Sequence, residues 1–177
     1  YTIKDAVCLP KPVQKPHPPV WIAGQGETHM LRVVAEFADG WNIFQSHANT
    51  PEAFARKLSV LERHCAAFHR DVNEVDRSWQ ADVNVVETEG ELREKTSELK
   101  LRSPLVRDGK MSVDEYIANS ISGTPDQCIK RIVALAQAGV RYFISVFPDP
   151  EEAESLRLFA KEVIPVVRET LSPRNLT

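Results

Sequence analysis

A short segment that contains two glycines, Ala23 to Glu27, is the part of the sequence best suited to hold a ligand. It follows the apolar run Val20–Ala23 and precedes a segment with helical periodicity. Gly24 and Gly26 permit a tight turn and a close approach to the backbone, and the first turn of a helix carries N–H groups without intrahelical partners. Such a turn suits a phosphate group or the edge of a planar cofactor. An ordinary strand-to-helix turn is the alternative, because the segment lacks the Gly-x-Gly-x-x-Gly fingerprint and an acidic ribose partner.

The cysteines and histidines argue against a metal site or a disulfide framework. The three cysteines, Cys8, Cys65 and Cys128, are far apart and form no Cys-x-x-Cys pair. His64 and His69 diverge on a helix, and the sequence has no His-Glu-x-x-His segment. Reduced thiols in a cytoplasmic protein are the simplest interpretation.

The charge of the chain excludes some classes of partner. Its 22 Lys and Arg residues against 25 Asp and Glu residues give a formal charge of −3. Proteins that bind nucleic acids or membrane surfaces normally carry a basic stripe, so we expect neither partner. No apolar run approaches the roughly 18 residues of a membrane span. Because Tyr1 is not an initiator methionine, we also expect further sequence before it.

Four apolar segments alternate with helical segments along the chain. The predicted strands are Val20–Ala23, Trp41–Phe44, a run within Ser78–Val86, and Tyr142–Phe147. Periodicity and capping residues predict helices from Glu27, from Thr50, over Glu89–Leu99, from Ser112, over Thr124–Gly139, and over Glu151–Leu171 with a kink at Pro165. The proline-rich residues 1–19 predict an extended lead-in, either a linker or a segment packed across the mouth of a larger fold.

This alternation predicts an α/β fold with parallel strands and right-handed crossovers. A doubly wound open sheet and a (β/α)8 barrel both fit the order of the elements. A barrel needs about 250 residues and eight strands, so this chain would supply half of one.

A set of motifs spread over nearly the whole chain carries a family resemblance. The motifs are Pro12–Gly24, Gly26-Glu27, Ala38–Asn42, Gly123–Gln127, Ala138–Val140 and Tyr142–Ile144. Together they resemble the luciferase-like monooxygenase family, and within it the branch that uses the deazaflavin coenzyme F-420. The resemblance implies a (β/α)8 TIM barrel that binds FMN or coenzyme F-420 at the carboxyl ends of its strands. It also implies that residues 20–177 are the C-terminal half-barrel, strands five to eight in about four βα units, with residues 1–19 as the lead-in.

By this resemblance, the coenzyme contacts are Ala23, Gly24, Gln25 and Gly26, through backbone atoms, together with Trp41 and Asn42. The family commonly has Gly-Gly at the positions of Ala23 and Gly24, and a small residue at the position of Gln25. For Trp41 and Asn42 a structural role is the alternative, as a core anchor and as a polar group that fills a layer of the interior.

Two further residues are candidates to face the substrate. His47 follows the second predicted strand and Glu87 ends the third, with an exposed loop position as the alternative for each. Four basic residues in or beside an irregular stretch are candidates for an anionic substrate or coenzyme tail, with a solvated charged loop as the default: Lys100, Arg102, Arg107 and Lys110. No residue has the features of a catalytic acid, base or nucleophile, so the catalytic residues stay unassigned.

The sequence therefore predicts the C-terminal part of a flavin- or deazaflavin-dependent oxidoreductase or monooxygenase that acts on a small organic substrate. The isolated chain would be inactive. The alternative is a catalytically incompetent, truncated half-barrel that self-associates. A four-stranded half-barrel leaves two strand edges and one apolar face uncovered, so we expect a homo-oligomer unless the missing half is present.

Overall fold

A computed structural model describes residues 2–99, 106, 108–148 and 153–172. The strands are β1 (Trp21–Ala23), β2 (Gly40–Phe44), β3 (Asp76–Val85), β4 (Ile121–Gly123) and β5 (Tyr142–Val146). The helices are α1 (Met30–Phe37), α2 (Pro51–Ala67), α3 (Glu89–Leu99), α4 (Val113–Asn119), α5 (Pro125–Gln137), α6 (Glu154–Leu158) and α7 (Ile164–Thr170). Residues 2–19 contain neither helix nor strand.

The described strands form one parallel sheet in the order β1-β2-β3-β4, and β5 also pairs with β3. One row of the register runs across the sheet, because Ala23 pairs with Asn42, Asn42 with Ser78, and Ser78 with Tyr142. Paired residues of parallel strands point to the same face of a sheet. The predicted α/β arrangement with parallel strands is confirmed.

The sequence predicted four strands, whereas the described residues form five, and β4 is the additional strand. Its three residues pair with the last three of β3, Val83–Val85. The prediction missed β4 because three residues between a helix end and the helix start at Thr124 leave no room for a period of two to show.

The helix starts follow their capping residues. The Thr50 side chain accepts a hydrogen bond from the Ala53 N–H at 3.1 Å, and Ser112 forms a reciprocal capping box with Glu115. Helix α1 begins later than expected, at Met30, because the residues from Glu27 form a turn first. The loop that contains the two glycines is therefore longer than the sequence indicated.

The last helical run changes its winding just before Pro165. Residues Phe159–Val163 form a π-helical segment between α6 and α7. Proline has no N–H for the usual helical bond and its ring crowds the preceding turn, and a wider turn relieves both conflicts. The irregularity that the sequence predicted at Pro165 takes this form.

One face of the sheet packs against the helices. Trp41 and Trp79 are fully buried on this face, and the Trp41 ring stacks on Phe54 of α2 with centroids 5.4 Å apart. The remaining large side chains that are almost completely buried extend this core: Leu31, Ile43, Leu61, Ile121 and Leu135. At roughly 1.5 to 3 kcal/mol for each buried side chain, this face supplies most of the hydrophobic stabilisation.

The other face, which we call the open face, is much less covered. By the register it carries Trp21, Ala23, Asn42, Phe44, Ser78, Gln80, Asp82, Tyr142, Ile144 and Val146. Trp21 and Tyr142 are 43% and 55% exposed, although both are large aromatic residues in strands. Their rings meet edge to face across the open face, with centroids 6.0 Å apart. Large apolar side chains left exposed on a sheet indicate a surface that another structure covers.

Candidate functional site

The loop after β1 is held in place by hydrogen bonds to two elements, β2 and α2. The Gly24 N–H donates to the Asn42 carbonyl at 3.1 Å, and the Trp41 indole N–H donates to the Gly24 carbonyl at 2.8 Å. Lys57 of α2 donates to the Gln25 carbonyl at 3.0 Å and to the Glu27 carboxylate at 2.8 Å. The structure therefore brings the predicted residues from Ala23 to Gly26, at the carboxyl end of β1, together with Trp41 and Asn42, the second and third residues of β2.

The two glycines of this loop have different reasons to be glycine. Gly24 has φ +155°, and a Cβ atom on it would lie 2.5 Å from the Met30 side chain. That conformation and that contact both exclude a larger residue, so Gly24 is required by local packing. A Cβ atom on Gly26 would meet Met30 at an ordinary 3.5 Å. Gly26 and Gln25 are exposed, and Ala23 is exposed on the open face.

Trp41 and Asn42 point to opposite faces of β2. Trp41 is fully buried on the helix side and is bonded to the Gly24 carbonyl. Its indole therefore positions the loop from behind and is closed to a ligand on the open face. Asn42 lies on the open face, where the Ser78 hydroxyl donates to its Oδ1 at 2.8 Å.

A row of polar side chains runs along β3 on the open face and was missed in the sequence. Its members alternate with apolar residues: Ser78, Gln80, Asp82 and Asn84. Asn42 Nδ2 donates to Gln80 Oε1 at 3.1 Å. The Nε2 amide group of Gln80 has no hydrogen-bond partner among the described residues. Asn84 donates to Ser122 at 3.0 Å. The signal was this period of two, with polar residues between Trp79, Ala81 and Val83.

Asp82 is the titratable member of the row. The Tyr116 hydroxyl donates to Asp82 Oδ2 at 2.9 Å, and Gln45 Nε2 reaches the same oxygen at 3.4 Å. Gln45 Oε1 also accepts the Asp82 N–H at 2.8 Å. Burial raises the pKa of the Asp82 carboxyl, and the two hydrogen bonds oppose that rise only in part. Burial, followed by the nearby Asp82 charge, also raises the pKa of Tyr116, so its hydroxyl remains a donor.

The other predicted residues lie at the periphery. His47 is exposed in a 3-10 turn, Gln45–His47, with its ring 3.5 Å from the Ser46 hydroxyl. Glu87 is exposed two residues after the end of β3, and Lys110 lies 3.8 Å from Asp108. Three of the basic candidates fall outside the described residues: Lys100, Arg102 and Arg107. The buried neighbour of His47, Gln45, is the residue of this turn that contacts the polar row.

Two classes of feature are missing from the described part of the chain. Its His, Cys, Asp and Glu side chains nowhere form a group of three or more that could hold a metal ion. None of its helices has the length and apolar character needed to cross a membrane.

The open face presents uncharged donors and acceptors beside a small side chain. Asn42 is hydrogen-bonded to the Ser78 hydroxyl and to the Gln80 carboxamide. Asn42 also pairs with Ala23 in the register of the sheet. These groups suit a flat, uncharged ring whose edge carries carbonyl and N–H groups. Binding and orienting such a ring is what the arrangement can do chemically.

The chain is similar in sequence to curated proteins whose names contain F420 or FMNH(2). Over 187 residues the chain is 25% identical to the F420-dependent glucose-6-phosphate dehydrogenase of Microbacterium testaceum, covering 95% of this chain and 53% of that protein. Over 193 residues it is 24% identical to the FMNH(2)-dependent dimethylsulfone monooxygenase of Pseudomonas putida, covering 96% of this chain and 52% of that protein. The chain thus spans about half the length of these relatives. Their names contain the two coenzymes that the sequence resemblance implied.

Solved structures agree on the fold. An F420-dependent secondary alcohol dehydrogenase in complex with an F420-acetone adduct superposes with a TM-score of 0.74 at 18% identity, covering 95% of this chain and 54% of that one. The monooxygenase RslO1 from Streptomyces bottropensis superposes with a TM-score of 0.69 at 24% identity, covering 89% and 51%. The family model described as luciferase-like monooxygenase matches residues 1–142. The resemblance seen in the sequence is confirmed, and the chain belongs to the luciferase-like monooxygenase family.

Proposed function

We propose that this chain is part of a flavin- or deazaflavin-dependent oxidoreductase or monooxygenase that acts on a small organic substrate. In this proposal residues 20–177 form the C-terminal half of a (β/α)8 barrel, strands five to eight, and residues 1–19 lead into it. Strands β1, β2, β3 and β5 are the barrel strands, and β4 is an added short strand. The open face is then the inner face of the barrel, and this face is the observation that carries the proposal.

The coenzyme, FMN or F-420, lies against the carboxyl ends of β1 and β2 in this proposal. Ala23 leaves room for a flat ring, and the exposed backbone of Gln25 and Gly26 borders it. The free Nε2 amide group of Gln80 donates a hydrogen bond to the edge of the ring. Asn42 orients Gln80, and Trp41 holds the loop from behind. The bound coenzyme supplies the redox chemistry, and these residues bind it, orient it and exclude water. His47 and Glu87, at the periphery, are substrate-facing candidates.

A second property follows from the exposed aromatic and aliphatic residues of the open face. Trp21, Tyr142, Ile144 and Val146 are each at least 38% exposed. We propose that the chain on its own is inactive and associates with a second copy through this face, unless the preceding half of the barrel covers it. The three cysteines, all unpaired, fit a cytoplasmic protein.

The test is a titration of the full-length gene product with FMN and with coenzyme F-420, followed by absorbance and fluorescence. We expect one of them to bind with a spectral change. Gln80→Leu removes the free donor and should weaken binding about fivefold to tenfold, the worth of one hydrogen bond. Gln137→Leu, the same change at an exposed position of α5, should leave binding unchanged. Binding of neither coenzyme would refute the proposed function.

A further inference from the structure

Asp82 lies at the level where the neighbouring strands end. It pairs with Val146, the last residue of β5. Gln80, two positions before it, pairs with Phe44, the last residue of β2. In parallel α/β sheets, ligands bind outside the carboxyl ends of the strands. Asp82 is therefore a carboxyl group at the rim where a ligand would bind.

The two oxygens of this carboxyl group have different surroundings. Oδ2 accepts hydrogen bonds from Tyr116 and Gln45, while Oδ1 has no hydrogen-bond partner in the part of the chain that the structure describes. Gln45 also binds the Asp82 N–H, so the backbone and the side chain are both fixed. A carboxyl group that is held in place and has one oxygen without a hydrogen-bond partner among the described residues is suited to contact a ligand.

Burial of the Asp82 carboxyl group favours its neutral form, and the hydrogen bonds from Tyr116 and Gln45 oppose this in part. Burial raises the pKa of Asp82, and no charged residue contributes to that shift. Tyr116 is the titratable group that contacts it, and His47 is exposed in the adjoining turn. The remaining residues at neighbouring positions are uncharged: Gln45, Phe44, Gln80, Asn84 and Val146. Because Oδ2 already accepts two hydrogen bonds, the proton belongs on Oδ1.

We propose that Asp82 carries its proton on Oδ1 and donates it in a hydrogen bond to a carbonyl oxygen of the flavin or deazaflavin ring. This inference rests on the proposed function. Gln80 lies one same-face position earlier on β3, about 7 Å away along the strand, and offers its own free N–H groups. The two residues form a row of donors that matches a ring with carbonyl oxygens on its edge.

The experiment measures the affinity of the full-length gene product for FMN, riboflavin and coenzyme F-420 from pH 5 to pH 9. Riboflavin is needed because phosphate groups themselves ionise near pH 6. We expect affinity for the wild type to fall by up to about tenfold as Asp82 loses its proton. Asp82→Asn keeps an N–H donor at this position and should bind at every pH as the wild type does at low pH. Asp82→Leu should bind about tenfold more weakly at every pH.

Two further variants separate recognition from a structural role. Tyr116→Phe removes a hydrogen bond that favours the charged carboxylate, so the fall in affinity should move to higher pH. Gln80→Leu should weaken binding equally at every pH and keep the slope of the wild type.

The results also distinguish this inference from the proposed function. Coenzyme binding that is independent of pH in the wild type, or an Asp82→Asn variant as weak as Asp82→Leu, would overturn the role of Asp82 and leave the proposed function standing. A pH dependence present with FMN but missing with riboflavin would also overturn it, because the phosphate would be its source. Failure of all three ligands to bind would overturn both.

Discussion

The two faces of the β-sheet both carry large aromatic residues but are packed very differently. On the helix side Trp41 and Trp79 are fully buried, and their indole N–H groups bond to carbonyls at 2.8 Å. On the open face Trp21 and Tyr142 remain about half exposed, and a polar row runs between them and the carboxyl ends of the strands. The helix side supplies the buried core. The open face combines exposed apolar side chains with a row of polar groups.

The largest expected effect tests this difference in burial directly. Trp79→Ala removes a fully buried ring that meets Phe143 edge to face, and should lower the free energy of unfolding of this chain by about 3–5 kcal/mol. Val146→Ala, on the open face, should lower it by less than about 1 kcal/mol. Chemical denaturation of both variants measures the contrast. Similar losses for the two would mean that the open face is buried in solution.

A smaller effect separates packing from ligand contact within the loop after β1. Gly24→Ala forces a left-handed conformation on alanine and a clash with Met30, and should cost about 1–3 kcal/mol of stability. Gly26→Ala introduces only an ordinary contact and should change stability by less than about 0.5 kcal/mol. Thermal or chemical unfolding of the pair provides the measurement. An equal cost at both positions would show that the whole loop is required by packing.

The smallest effect concerns Asp82 and the pH dependence of stability. Because its pKa is raised in the folded protein, the folded state binds the proton more tightly than the unfolded state. Stability contributed by Asp82 is therefore lost as the pH rises from the ordinary carboxyl range through the raised pKa. Asp82→Asn removes this loss, so its stability relative to the wild type should increase as the pH rises above the ordinary carboxyl pKa of about 4. Asp114→Asn, at a carboxylate 73% exposed, controls for net charge. A parallel response of the two variants would contradict the raised pKa.

Helices that pack on the sheet were predictable because their signal is local. Phe54, Leu58, Leu61 and Cys65 recur at intervals of three and four, and all are buried in α2. Strand β4 was not predictable in this way, because its pairing with β3 depends on residues far away in the sequence.

The residues of the candidate site also differ in whether a local sequence pattern reveals them. The loop that contains Gly24 and Gly26 was visible because glycine next to a strand and a helix is a local pattern. Asp82 was overlooked, since its partners Gln45 and Tyr116 are 37 and 34 positions away. A lone acidic residue in a strand has no distinguishing neighbour until the fold brings both partners to it.

The exposure of Trp21 gives the protein an internal optical reporter. Of the three tryptophans, Trp41 and Trp79 are sealed from water, so quenchers dissolved in the buffer reach only the indole of Trp21. Trp21 also lies directly over Gly40 on the open face, where a Cβ atom would collide with its ring. The quenchable fraction of the tryptophan fluorescence and its emission wavelength would therefore report, without any added label, whether another structure covers this face.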